Sequence, residues 1–227
     1  MGQPWLSRLR VSWGRRRQID RRSLSASIPS LQYPGASSWD RVASRALRDR
    51  RAHEFNPGFG SSRFAPFKSA GKEVPTMYLG TSFGCAAYES IFHDIDPSAA
   101  FKSVPMSKVD ECACSVVKID RDLKLGRLFE PDLNKWTVTR QTLIDTPPSS
   151  YVSTRIWAQA IHDANPTLDG MIWTSRRFDE DQCLILFGTR VDQSSIDVVS
   201  TGEFASSPLL LDHLVDLGRL SGIVLTL

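Results

Sequence analysis

Apolar residues recur along this chain at two spacings, and each spacing predicts a kind of element. Alternating or continuous short runs read as strands: "TMYLGTS" (76–82), ending in a polar turn, "ACSVVKI" (113–119), "GMIWTS" (170–175) and "CLILFGTRV" (183–191). The last is apolar enough for a central strand, buried on both faces. Runs with apolar positions three and four apart read as helices. "SFGCAAYESIFHDI" (82–95) has Ser82 as its cap and Cys85, Ala86, Tyr88, Phe92 and Ile95 on one stripe. "YVSTRIWAQAIHDA" (151–164) turns Ile156, Trp157, Ala160 and Ile161 inward. Ser38 is placed to cap a helix over "SWDRVASRALRDRR", with Val42, Ala46 and Leu47 on one face. "LIDTPPSS" reads as a loop, because paired prolines cannot continue regular structure. The C-terminal "LLLDHLVDLGRLSGIVLTL" predicts a helix and a final strand. Strands and helices mix without a regular alternation, so the expected class is α+β rather than doubly wound.

Composition adds boundaries to that plan. Residues 23–38 are rich in Ser, Pro and Gly and read as a linker, which places a basic extension with a short helix at 1–51 and the main domain at 52–227. Of the 28 Lys and Arg, seven Arg fall in residues 1–24 beside a single Asp, leaving 21 basic against 24 acidic residues in the remainder. The basic character belongs to the tail, so the core is not expected to bind nucleic acid. The tail itself reads as a solvated extension or as a contact for RNA or acidic lipid. No membrane span and no secretory signal are expected from the hydropathy pattern. Four scattered cysteines without a C-x-x-C pair suit a reducing cytoplasm, and no Cys/His spacing suggests a metal site.

Four polar residues interrupt apolar surroundings. Arg63 leaves the turn "FNPGFGSS" into the patch "FAPF"; Tyr78 sits within an apolar strand; Glu89 lies beside Ala86 and Phe92 on a helix; Ser175 closes "GMIWTS". Taken singly, each has an ordinary reading: a solvated loop arginine, a core tyrosine with a tethered hydroxyl, a solvated helix glutamate and a turn serine.

Their order changes the reading. "FNPGFGSSRFAPF", "VPTMYLGTSFGCAAYESIFHDI" and "DTPPSSYVSTRIWAQAIHDANPTLDGMIWTSRRFDEDQCLILFGTRV" together resemble the RES domain, a family named for an Arg, a Glu and a Ser. The resemblance runs from about residue 51 to 191. It implies that the three are Arg63, Glu89 and Ser175, and that Tyr78 is a substrate-binding tyrosine. Many members read Arg-Trp-Asn after a double Gly, where this chain reads "SSRFAPF".

The resemblance also implies a fold like that of ADP-ribosyltransferases, a mixed sheet with flanking helices. It implies an NAD+-degrading enzyme, a glycohydrolase or phosphorylase cleaving the nicotinamide–ribose bond, that acts as a growth-inhibiting cytoplasmic toxin. NAD+ is then a substrate and not a retained cofactor, in keeping with the lack of a G-x-G-x-x-G motif. The implied partners are an Xre-type helix-turn-helix antitoxin and a second copy of the chain.

On this reading Glu89 stabilises an oxocarbenium-like ribose and accepts from its 2′-hydroxyl. Arg63 holds the diphosphate, Phe64 and Phe67 lower the local dielectric, and Tyr78 and Phe64 contact substrate. Ser175 either binds substrate or holds Glu89. Arg155, Arg176 and Arg177 are secondary phosphate candidates or surface arginines. Two alternatives stay open: an ADP-ribosyltransferase that modifies a macromolecule, and a non-catalytic interaction module whose basic tail binds RNA or a membrane.

Overall fold

The computed structural model describes residues 28–33, 38–44 and 51–227. These residues contain twelve strands, β1 to β12 in chain order. Eight of them form one sheet: β1 (Ser30–Tyr33), β2 (Ser38–Ser44), β5 (Thr76–Gly80), β7 (Cys112–Ile119), β8 (Leu123–Arg127), β9 (Gly170–Thr174), β10 (Gln182–Phe187) and β11 (Ile196–Glu203). Their order across the sheet is β1-β8-β9-β10-β5-β2-β7-β11. Only the β8–β9 pairing is parallel. A hairpin of β3 (Lys68–Ser69) with β4 (Lys72–Glu73) and a parallel pair of β6 (Lys102–Pro105) with β12 (Ile223–Thr226) stand apart from it. Among the described residues six α-helices accompany the strands: α1 (Phe83–Tyr88), α2 (Met106–Asp110), α3 (Glu130–Lys135), α4 (Arg140–Leu143), α5 (Tyr151–Ala164) and α6 (Pro208–Leu220). The class is α+β, as the mixed pattern of apolar spacings predicts.

β10 is central because its residues are apolar on both sides of the pleat. Cys183, Ile185 and Phe187 face a cluster that includes Trp173 and the α5 residues Trp157, Ala158 and Ile161. Leu184 and Leu186 face the opposite cluster, with Met77, Leu79, Val117 and Ile172. Alternate residues of a strand point to opposite faces, so one run of six residues feeds two cores. Burying a large aliphatic side chain contributes about 1.5–3 kcal/mol, and β10 does so repeatedly. The neighbouring backbone comes close at Gly170, where a Cβ would fall 2.0 Å from the Ile185 carbonyl oxygen. Only glycine fits at that place in β9.

A third cluster joins α1 and α6 to the strands beyond β5. It contains Tyr88, Ile91 and Phe92, the Cys112 and Cys114 side chains from one face of β7, and Leu214 and Leu217 of α6. α6 begins at Ser207, whose hydroxyl caps the Leu210 N–H, with proline at the first turn.

Three sequence expectations are corrected. The segment read as a capped helix from Ser38 is, over Ser38–Ser44, a strand paired with β7 from Ser38↔Lys118 to Ser44↔Cys112. Residues 45–50 lie outside the described residues, as does the basic stretch 1–27. Part of the expected linker, Ser30–Tyr33, is strand β1 against β8. The large sheet thus continues on the N-terminal side of the boundary expected at residue 52. The third correction concerns α1, which keeps its Ser82 cap but runs only from Phe83 to Tyr88. Beyond it the backbone turns, and carbonyls that a longer helix would satisfy are taken by side chains from elsewhere. Lys108 Nζ donates to Ile91 O at 3.1 Å, and Arg177 Nη2 to His93 O at 2.8 Å. In α5, which has its predicted ends, Trp157, Ala160 and Ile161 are buried, whereas Ile156 is half-buried.

Candidate active site

The loop that carries Arg63 is fixed from both sides. Phe64 is fully buried and meets Trp173 edge-on at 5.0 Å, while Phe67 packs against Phe187 at 5.7 Å. These aromatic anchors explain the apolar patch after the turn. Backbone contacts complete the hold: Ser62 N–H donates to Ala65 O at 2.8 Å, and the fully buried Thr154 hydroxyl of α5 donates to Arg63 O. The Arg63 side chain is consequently immobilised and 5% exposed. Its Nη1 lies 3.9 Å from Glu89 Oε2, and its guanidinium carbon lies 5.8 Å from the centre of the Tyr151 ring. Its Nε and Nη2 are buried and have no hydrogen-bond partner among the described residues.

Tyr78 points from the middle of β5 toward the same loop. Its hydroxyl oxygen accepts from Phe64 N–H at 2.9 Å and from Ser62 Oγ at 3.0 Å. Burial pushes the phenol up to about 12, against opposing effects from Ser62, the Phe64 N–H and the Arg63 charge. The tyrosine therefore acts as a neutral strut that fixes the loop to the sheet.

Glu89 stands at the C-terminal end of α1. The helix start is tied to the β9–β10 turn through Asp181, whose carboxylate accepts from Thr81 Oγ1 at 2.8 Å and from the Ser82 hydroxyl. This tie sets Glu89 opposite the end of β9. Its Oε1 accepts from Ser175 Oγ at 2.6 Å, Arg176 N–H at 2.7 Å and Arg177 N–H at 3.3 Å. Among the described residues its Oε2 makes no such bond, and it faces Arg63. One carboxylate oxygen is thus fixed while the other is free to meet a ligand.

Ser175 is fully buried. Its Oγ accepts from Arg177 N–H at 3.1 Å and Phe178 N–H at 2.9 Å and gives its own proton to Glu89. Arg140 Nη2 braces this strand end through the carbonyls of Thr174 and Ser175, at 3.1 and 2.9 Å.

A cleft of about 490 Å³ opens over these residues, within the usual range for small-molecule sites. Arg63, Tyr78 and Glu89 line it; Ser175 does not, since it lies behind Glu89. Cys85 and Cys183 form part of the wall, both as free thiols, with their sulfurs 3.3 Å apart. The fold brings together the Arg, Tyr, Glu and Ser singled out in the sequence.

Phe64, expected to contact substrate, is buried in the core and is absent from the lining. Its part is to anchor the loop. The secondary arginines are occupied with backbone carbonyls: Arg155 with Tyr151, Arg176 with Thr146 and Arg177 with His93.

Among the lining residues that the sequence does not single out are His93 and Tyr151. His93 Nδ1 lies 2.8 Å from Asp94 Oδ1, and its Nε2 lies 3.4 Å from the Tyr151 hydroxyl. Burial is the largest of several effects that raise the Tyr151 phenol. Neither residue belongs to a spacing that marks it; the fold alone places them at the cleft.

Among the described residues no helix is long and apolar enough to cross a membrane, and no group of three or more His, Cys, Asp and Glu could hold a metal ion. No curated protein sequence matches the chain. In shape it is similar to a chain of the crystal structure of the M. tuberculosis MbcT–MbcA toxin–antitoxin complex. That likeness has a TM-score of 0.56 at 14% identity and covers 86% of this chain and 95% of the other. At such identity the likeness speaks for the fold. A family model, the RES domain, matches residues 35–207. The chain belongs to the RES domain family.

Proposed function

We propose that the protein cleaves the bond between ribose C1′ and the nicotinamide nitrogen of NAD+. The observation that carries this reading is the asymmetric hold on Glu89. Oε1 is fixed by three donors, while Oε2 is turned into a cleft of about 490 Å³ that it shares with Arg63.

Nicotinamide leaves as a neutral amine-type base, because the pyridinium already carries the positive charge. The departure needs no acid. What it needs is negative charge near C1′ as the ribose becomes oxocarbenium-like. A preorganised carboxylate supplies this without reorganisation at the moment of reaction. Its free oxygen is also the acceptor for the ribose 2′-hydroxyl. Ser175 holds the carboxylate and stays clear of the substrate.

Arg63 serves the diphosphate. Buried donors without partners cost about 1–3 kcal/mol each, and an anion that takes up Nε and Nη2 relieves that cost. The 3.9 Å contact with Glu89 is an ion pair rather than a hydrogen bond, so the fork remains available. The loop that carries the arginine is already ordered by Phe64, Phe67 and Tyr78.

Family membership and a fold shared with a chain of a toxin–antitoxin complex favour a growth-inhibiting role restrained by a partner protein. The decisive assay follows NAD+ and released nicotinamide with wild type and Glu89→Gln. A glutamine oxygen still meets the three donors, so the variant folds. Its amide nitrogen then turns a positive edge toward the reacting carbon. The expected loss is about 10²–10³ in rate. Undiminished turnover by a folded E89Q protein would sink the proposal.

A further inference from the structure

Breaking the glycosidic bond is half of the reaction. The other half is addition of an acceptor at C1′. A water acceptor must shed a proton as its oxygen bonds to carbon, and a positioned base contributes about 10²–10⁴ in rate to such a step. Glu89 is poorly free for this work, since one oxygen is saturated and the other faces Arg63 and the ribose.

We infer that His93 is the base that takes the proton from the attacking water. It lines the cleft together with Glu89 and Arg63. Its Nδ1 lies 2.8 Å from Asp94 Oδ1, a carboxylate that can only accept. The Nδ1 therefore carries the hydrogen, and the lone pair sits on Nε2. That nitrogen is directed at the Tyr151 hydroxyl, 3.4 Å away, a contact long enough for a water to replace. The arrangement of carboxylate, imidazole and an Nε2 held only by one long contact is that of a general base whose tautomer is fixed by its partner.

The surroundings hold the imidazole in place. Arg177 Nη2 donates to the His93 carbonyl at 2.8 Å, and Lys108 Nζ lies 3.8 Å from the other oxygen of Asp94. Asp94 is held below its usual range, first by its hydrogen bond to His93. It stays ionised and keeps accepting from Nδ1.

The step balances. The C1′–N bond breaks with its electron pair going to nicotinamide; the water oxygen bonds to C1′; its proton goes to His93 Nε2 and from there to solvent. The inference rests on the NAD+ reading and names water as the acceptor.

The test uses the full-length protein, NAD+ and sodium azide. Azide is an anion and attacks without giving up a proton. In His93→Gln, nicotinamide release should fall about 10²-fold or more with little change in KM. Azide should restore it by about tenfold or more and yield azido-ADP-ribose by mass spectrometry. A variant as fast as wild type overturns the role. So does a slow, normally melting variant that azide leaves slow, which would make His93 a structural residue. Wild type that turns over only when phosphate is added overturns it too, while leaving NAD+ cleavage intact. If wild type releases no nicotinamide under any condition, it is the NAD+ reading that fails. Should H93Q not fold, Asp94→Ala, at a side chain 73% exposed, removes the acceptor that fixes the tautomer. It should slow release about tenfold without raising KM, and an unchanged rate overturns the proposal.

Discussion

Replacing Ser175 with alanine separates the two tasks that a serine at this place could have. The hydroxyl is fully buried and makes three hydrogen bonds, one given to Glu89 Oε1 at 2.6 Å and two accepted from the N–H groups of Arg177 and Phe178. Its removal has two consequences of calculable size. The Phe178 N–H loses its partner, which costs about 1–3 kcal/mol, and the bond to a carboxylate adds about 1.5–3 kcal/mol. Allowing for relaxation, the net loss of stability is about 2–4 kcal/mol. For a chain of this length that lowers Tm by about 5–15 °C. Glu89 Oε1 keeps Arg176 N–H at 2.7 Å and the longer Arg177 N–H at 3.3 Å. A carboxylate less firmly placed by about 1.5–3 kcal/mol slows the chemical step about 10–100-fold. KM stays near its original value, because the hydroxyl lies behind Glu89 and not in the cleft. Steady-state nicotinamide release and a thermal melt on the same preparation measure all three quantities. A tenfold rise in KM with kcat preserved would refute the reasoning, since it would mean that the hydroxyl touches substrate.

Other perturbations have equally definite outcomes. Arg63→Lys keeps the charge and loses the fork whose Nε and Nη2 are unpartnered, so KM for NAD+ should rise about tenfold or more, read by the same assay. Unaltered KM in a folded variant would speak against diphosphate binding there. Tyr78→Phe strands the Phe64 N–H and should lower stability by about 1–3 kcal/mol in urea titrations. The same variant tests a linkage. The folded phenol is raised to about 12 from 10.0, so it favours the folded state below pH 10. Wild type should lose this stabilisation as pH rises from about 10 to about 12. The variant should show a shallower decline over that window, and a slope identical to wild type would contradict the buried phenol.

Much of this fold was legible because its strongest patterns are short-range. β10 announces a doubly buried strand through five consecutive apolar residues, and α5 shows its ends and most of its buried stripe. β2 was misread for a physical reason. Val42, Ala46 and Leu47 happen to lie at helical spacing, whereas the strand is specified by pairing with β7, whose residues Cys112–Lys118 come much later in the chain. Local spacing carries no information about such a partner. The helix expected over 82–95 is longer than α1 because Phe92 and Ile95 continue the apolar stripe, while the groups that capture its would-be helical carbonyls, Lys108 and Arg177, come from other segments. Within the site, the order of Arg63, Glu89 and Ser175 was readable by resemblance. The division of labour was not. Phe64 beside the arginine looked like a substrate contact and is a core anchor, and His93 among four scattered histidines carried no distinguishing neighbour.

The donors that grip Glu89 come from residues 175–177, and β9 is joined to β5 only through β10. A growing polypeptide therefore has the carboxylate long before it has anything to hold it. The grip on Glu89 cannot form until β10 has been made, and a chain that stops short of Phe187 leaves that carboxylate unheld.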